Sequence, residues 1–205
     1  VTAGSLAGNI SGGDVAVTGL LAGNVSAGAG TVTAGSMTGD VGSSVTVSGL
    51  LTGAITAGTN ALGSLTSSAV SGGTNTITGA ATVTTVSGGT TTVGGVATLT
   101  LSGANTFKGA INLAAGTLNF GAANAAANSS GLNVTGDATF GLPDWSAGSA
   151  LPIAIATGKT LTANASTGIN LDAALTGAGS LTIVGSTTAG DRFILGAATG
   201  FTGAI

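Results

Sequence analysis

The chain has 205 residues, of which 4% are charged, 43% are hydrophobic and 39 are glycine. An ordinary globular chain carries about 25% charged residues and about 7% Gly, and so large an apolar fraction argues against plain disorder. Lys108, Lys159 and Arg192 are the only basic residues, too few for the phosphate-neutralising patch of a nucleic-acid binder, and a net charge of −3 points to no charged partner.

Cysteine is absent, which excludes disulfides and thiolate metal sites. Glycine and hydroxyl residues interrupt every apolar run well before the roughly 18 residues that a membrane helix needs. One Trp, five Phe and no Tyr cannot build the aromatic girdles of a transmembrane barrel, so a chain that does not span a membrane is expected. Val, Ile and Thr recur throughout, separated by Gly, Ser, Asn and Asp, while Glu and Gln do not occur. That is the pattern of strands and turns, and it predicts an all-β fold. A core of small aliphatic side chains must be thin and layered, as in a sheet wound on itself.

Residues 1–98 form an internal repeat. The segments "GSLAGNI" from Gly4, "GLLAGNV" from Gly19, "GSMTGDV" from Gly35, "GLLTGAI" from Gly49 and "GSLTSSAV" from Gly63 align on one pattern, recurring roughly every 15 residues. Alternate copies are the more alike: "VTAGS" at Val1 returns at Val32. A coil of about 15 residues and one of about 30 are both compatible with this pattern. No single unit can bury its apolar face, so units must stack, which predicts a β-solenoid. Glycines at a constant phase mark its corners.

Beyond residue 98 the composition becomes more varied, and 99–205 is expected to be a less regular β-helix. In "LTLSGANTFKGAINLAAGTLNFG" (99–121) the apolar phase is odd at Leu99, Leu101, Ile111 and Leu113, and even at Leu118 and Phe120. The switch falls across Ala114–Gly116, as it would where a corner re-aims the chain. "GLPDWSAGSALP" (141–152) reads as a loop, with Pro143–Asp144 as a turn signal.

The stretch 99–121 resembles the autotransporter-associated β-strand repeat of Gram-negative surface proteins. It shares the "LxLxGxNTF" opening, the glycine at 109, the "IxL" strand and the closing "AGTLNFG". A fainter likeness covers 179–205, in "GSLTIVG" and "GFTGAI". The resemblance implies a right-handed β-helix exported to the extracellular side or cell surface of a Gram-negative bacterium. The family supplies no catalytic residues.

Catalysis finds little to work with: no His, Cys, Glu or Tyr, six Asp, and unactivated Ser and Thr. Asp14, Asp40, Asp137 and Asp191 each follow a glycine and read as turn residues, and the pair Asp191–Arg192 points to opposite faces if it lies on a strand. No enzyme, cofactor or metal is expected. Lys108, next to Phe107, reads as a solvated corner residue. Trp145, the one Trp, lies in the 141–152 loop beside Asp144, and these two are the candidate ligand-binding residues, able to stack on a sugar ring.

Three functions follow. The leading one is a structural extracellular solenoid, a stalk, fibre or layer element that could self-associate end to end. The alternative is an adhesive or carbohydrate-binding passenger presenting the 141–152 loop to glycans or to a host or neighbouring cell surface. A lesser alternative is ice binding by threonine ladders. Against the last, Ala16/Thr18, Thr46/Ser48 and Thr76/Thr78 align only in every second unit, which makes the threonine column drift.

Overall fold

The computed structural model describes residues 1–101, 109–120, 130–142, 151–165, 169–171, 175–185, 193–195, 198 and 200–205. Every regular element among them is a β-strand, and every pairing is parallel. Nineteen strands join one continuous sheet, and Ile169–Leu171 with Phe193–Leu195 form a separate two-stranded one. The fold is a β-solenoid in which each coil hydrogen-bonds to the next.

The registers decide the coil length. Thr2 pairs with Ala16, and the same column runs on through Thr33, Thr46, Ala61, Thr76 and Thr92. The longest of these steps is from Ala16 to Thr33 and the shortest from Thr33 to Thr46. One coil is therefore the shorter of the two candidate periods. The column continues through Asn112, Asn133, Ala154, Thr176 and Gly200. Coils there are longer, as the steps from Thr92 to Asn112 and from Thr176 to Gly200 show.

In the regular part each coil has three sides. The first carries paired inward residues such as Val15 and Val17, or Val45 and Val47. The second buries Leu21, Met37, Leu51 and Leu65 in one column, the third residue of each "GSLAG"-type repeat. The third is a line of single bridges, Ile10–Val25–Val41–Ile55–Val70. All these aliphatics are buried in one cluster. Alternation points every second strand residue inward, and stacking then buries what a single coil leaves open.

Glycines set the corners. Register shifts between Val17 and Leu20, Ala34 and Met37, and Val47 and Leu50 mark the bend from the first side to the second. There a Cβ on Gly19 would come 2.6 Å from the Gly4 carbonyl oxygen, and one on Gly49 would come 2.6 Å from that of Gly35. The next corner is tighter still. Gly23, Gly39 and Gly53 have positive φ, and a Cβ on each would overlap the carbonyl oxygen of the preceding glycine, at positions 8, 23 and 39.

The predicted phase switch in 99–121 is present. Leu99 and Leu101, Ile111 and Leu113, and Leu118 and Phe120 are all buried, with bends at Ala114–Gly116 and φ +78° at Gly116. Thr98–Leu101 pairs with Thr117–Phe120, so the stretch spans slightly more than one coil. Phe120 packs edge-to-face on Phe140 in the following coil, ring centroids 5.3 Å apart.

Candidate functional surface

Asp144 and Trp145 lie outside the described residues, as do Lys108, Asp191 and Arg192. Among the described residues no group of three His, Cys, Asp or Glu could hold a metal ion. No helix there is long and apolar enough to cross a membrane.

Asp14, Asp40 and Asp137 do more than shape turns. Asn9 Oδ1 accepts the Asn24 N–H (2.9 Å), Asn24 Oδ1 accepts that of Asp40 (2.8 Å), and Asp40 Oδ1 accepts that of Ala54 (2.8 Å). Each polar side chain thus caps the backbone one coil on, until alanine at 54 ends the line. Asp14 Oδ1 receives Thr31 N–H (2.7 Å) and Asp137 Oδ1 receives Thr160 N–H (2.8 Å) in the same manner. These bonds supply acceptors at corners, where the sheet ladder is interrupted and an amide would otherwise lack one.

A polar column inside the first side has no counterpart in the sequence reading. Val15, Val32 and Val45 are followed in the same inward column by Asn60, Asn75 and Thr91, and then by Ile111. Asn60 and Asn75 are each 1% exposed. Asn60 Nδ2 donates to Asn75 Oδ1 (2.8 Å) and to Ala57 O (3.1 Å), and Asn60 Oδ1 accepts the Val45 N–H (3.2 Å). Asn75 Nδ2 donates to Gly72 O (3.2 Å). The pair is therefore satisfied, as buried amides must be. Thr91, one coil on, borders an enclosed void between Asn75, Ile77, Leu99 and Ile111 with room for about one water (about 10 Å³). The signal that could have found the column is the sequence separation of the two asparagines, which equals one coil.

Outside this column the threonines line up. The first half of the strand Thr59–Val70 and the strands Thr74–Ile77 and Thr90–Val93 place Thr59, Thr74 and Thr90 in one outward column, and Ala61, Thr76 and Thr92 in the next. Upstream, Thr33 and Thr46 extend the second column, while Ser44, whose Oγ accepts the Thr59 N–H (3.0 Å), and Thr31 precede Val45 and Val32 on the first. The drift expected from the sequence is thereby corrected. The segment lying between alternate copies is itself a coil, and Ala16, Thr33, Thr46, Ala61 and Thr76 stack in a single line. Variable corner lengths absorb the numbering drift. Ser48 and Thr78 are corner residues instead, donating to Gly35 O and Leu62 O of the preceding coil.

A scan against protein-family models and searches of curated proteins and of solved structures find no match for this chain.

Proposed function

We propose that the chain is a structural β-solenoid segment, serving as a stalk, fibre or layer element on the extracellular surface of a Gram-negative bacterium. One observation carries the reading: the coils stack in a single direction from Thr2 to Gly200, through eleven register steps, in a chain nearly free of charge. At about 4.8 Å per coil that is a rod of about 53 Å along its axis. A shape of this kind separates what is attached to its two ends. The likeness of residues 99–121 to a passenger repeat supports the location.

Its stability rests on layered aliphatics and backbone ladders, neither of which salt screens. Thermal unfolding should therefore shift by no more than about 2 °C between low salt and about 1 M NaCl. Electron microscopy under both conditions should show short straight rods. Compact globules, or loss of structure at either salt extreme, would overturn the reading. Rods that lengthen with protein concentration are expected if copies associate end to end, and rods of one length at every concentration would remove that part of the proposal.

A further inference from the structure

Threonine columns occur on two sides of the solenoid, and they differ in width. On the second side Thr38, Thr52, Thr66, Thr82 and Thr100 form one column, but its neighbouring outward positions include Ser36, Leu50 and Ser64. On the first side two columns run side by side, Ser44, Thr59, Thr74 and Thr90 next to Thr46, Ala61, Thr76 and Thr92. Across strands these positions repeat at about 4.8 Å, and along a strand, two residues apart, at about 6.6 Å.

Three features set this array apart from a merely soluble sheet face. First, its threonine hydroxyls are free of protein hydrogen bonds, and Ser44 Oγ alone is engaged, accepting the Thr59 N–H. Thr56, Thr78 and Thr85 at corners donate to carbonyls of the preceding coil, whereas among the described residues no protein hydrogen bond engages the side chains of Thr46, Thr59, Thr74, Thr76 or Thr90. Second, the array from Ser44 to Thr92 carries no charge of its own: Asp40 in the chain beside it lies at a different corner, and Asp14 stands at its upstream margin, in the groove it shares with Ser44, Thr46 and Thr59. Third, the buried amide pair Asn60–Asn75 lies directly behind it, on the same strands and between the two columns. Side-chain ladders stabilise flat sheets against their natural twist, and here one amide–amide bond joins the coils of Asn60 and Asn75.

We propose that this face binds the surface of ice. Each threonine hydroxyl is one donor and two acceptors, as a lattice water is, and β-branching restricts its rotamers. A rigid net of such groups, whose cross-strand repeat of about 4.8 Å is close to the shorter oxygen-row spacing on the prism faces of hexagonal ice, can join the lattice at many points together. A charged or irregular surface holds its own hydration shell and cannot. The contribution of one hydroxyl is small, and the fixed spacing makes the contributions act in concert, as in multivalent binding.

The test is thermal hysteresis and inhibition of ice recrystallisation with the intact chain at micromolar concentration. Thr76→Tyr, in the middle of the array, should reduce hysteresis about tenfold, the effect of one lost increment of about 1.4 kcal/mol. Thr66→Tyr, a likewise exposed threonine on the other side, should leave it unchanged. Ala61→Thr, which fills the gap in the second column, should raise it. Circular dichroism melts of all three variants separate loss of the face from loss of the fold. No hysteresis in the parent chain, or equal loss from Thr66→Tyr and Thr76→Tyr in folded protein, would overturn the proposal. Retention on crystalline cellulose or chitin without hysteresis would assign the face to a polysaccharide and overturn it as well.

Discussion

Replacing Gly39 with alanine is expected to cost about 3 kcal/mol of folding stability, while the same change at Gly12 should stay within about 0.5 kcal/mol. Gly39 has φ +145°, a conformation that L side chains rarely adopt, and its Cβ would overlap the carbonyl oxygen of Gly23 in the coil before. Neither term can be relieved locally, because Gly23 is bound in turn by Gly8 and Gly53 by Gly39 in one stack. Gly12 has no heavy atom within 4 Å of such a Cβ and no left-handed backbone. Denaturant midpoints of the two variants would check the contrast. Similar losses at both positions would mean that glycine acts through chain entropy, and that close coil-on-coil approach does not limit the fold.

The second large effect concerns the buried amides. Asn75→Val should cost about 3 kcal/mol, since it removes one of the two acceptors of Asn60 Nδ2 and the side-chain donor to the Gly72 carbonyl, leaving a buried N–H unpaired. Valine fits the column, where Val15, Val32 and Val45 occupy equivalent places, so the loss is one of hydrogen bonding more than of packing. The double variant Asn60→Val/Asn75→Val should therefore cost less than the sum of its parts, with a coupling of about 1 kcal/mol or more. Thr91→Val should go the other way, neutral or stabilising by up to about 1 kcal/mol, because that buried hydroxyl has no protein partner among the described residues. Additive asparagine losses would show that Asn60 and Asn75 are not the connected pair described, and a costly Thr91→Val would contradict an unpartnered hydroxyl at that position.

Much of the architecture is legible in the repeats. The leucine or methionine positions following Gly4, Gly19, Gly35, Gly49 and Gly63 share one column, and their near-constant spacing is the coil itself. Alternate copies resemble one another because Leu20 and Leu50 are exposed while Ser36 and Ser64 take the same outward place. That similarity is a surface pattern, and it obscures the period. The threonine array misaligns in the sequence for a related reason: coils of unequal length hide a register that backbone hydrogen bonds keep constant. Asn60 and Asn75 escape notice because "TN" before a strand looks like a turn, and only a neighbouring coil makes an inward asparagine tolerable.

The fold also explains why the chain can carry almost no charge. Its corners are closed by Asn9, Asn24, Asp14, Asp40 and Asp137 bonding to the next coil's backbone, so polar groups serve pairing within the rod. Hydroxyls on the outward columns remain available to solvent. The same coil-on-coil stacking that underlies the proposed spacer role also presents an ordered hydroxyl net on one side.

Pulsed dipolar spectroscopy on doubly spin-labelled protein tests the central claim, coil-by-coil stacking in a constant register, most directly, and the cysteine-free chain allows clean labelling. Labels replacing Thr46 and Asn133 are five coils apart, and labels replacing Thr46 and Thr176 are seven apart. At about 4.8 Å per coil, the two pairs should give narrow distributions near about 24 Å and about 34 Å, differing by about 10 Å. Broad distributions, or two distances that do not grow with the number of coils between the labels, would contradict the account.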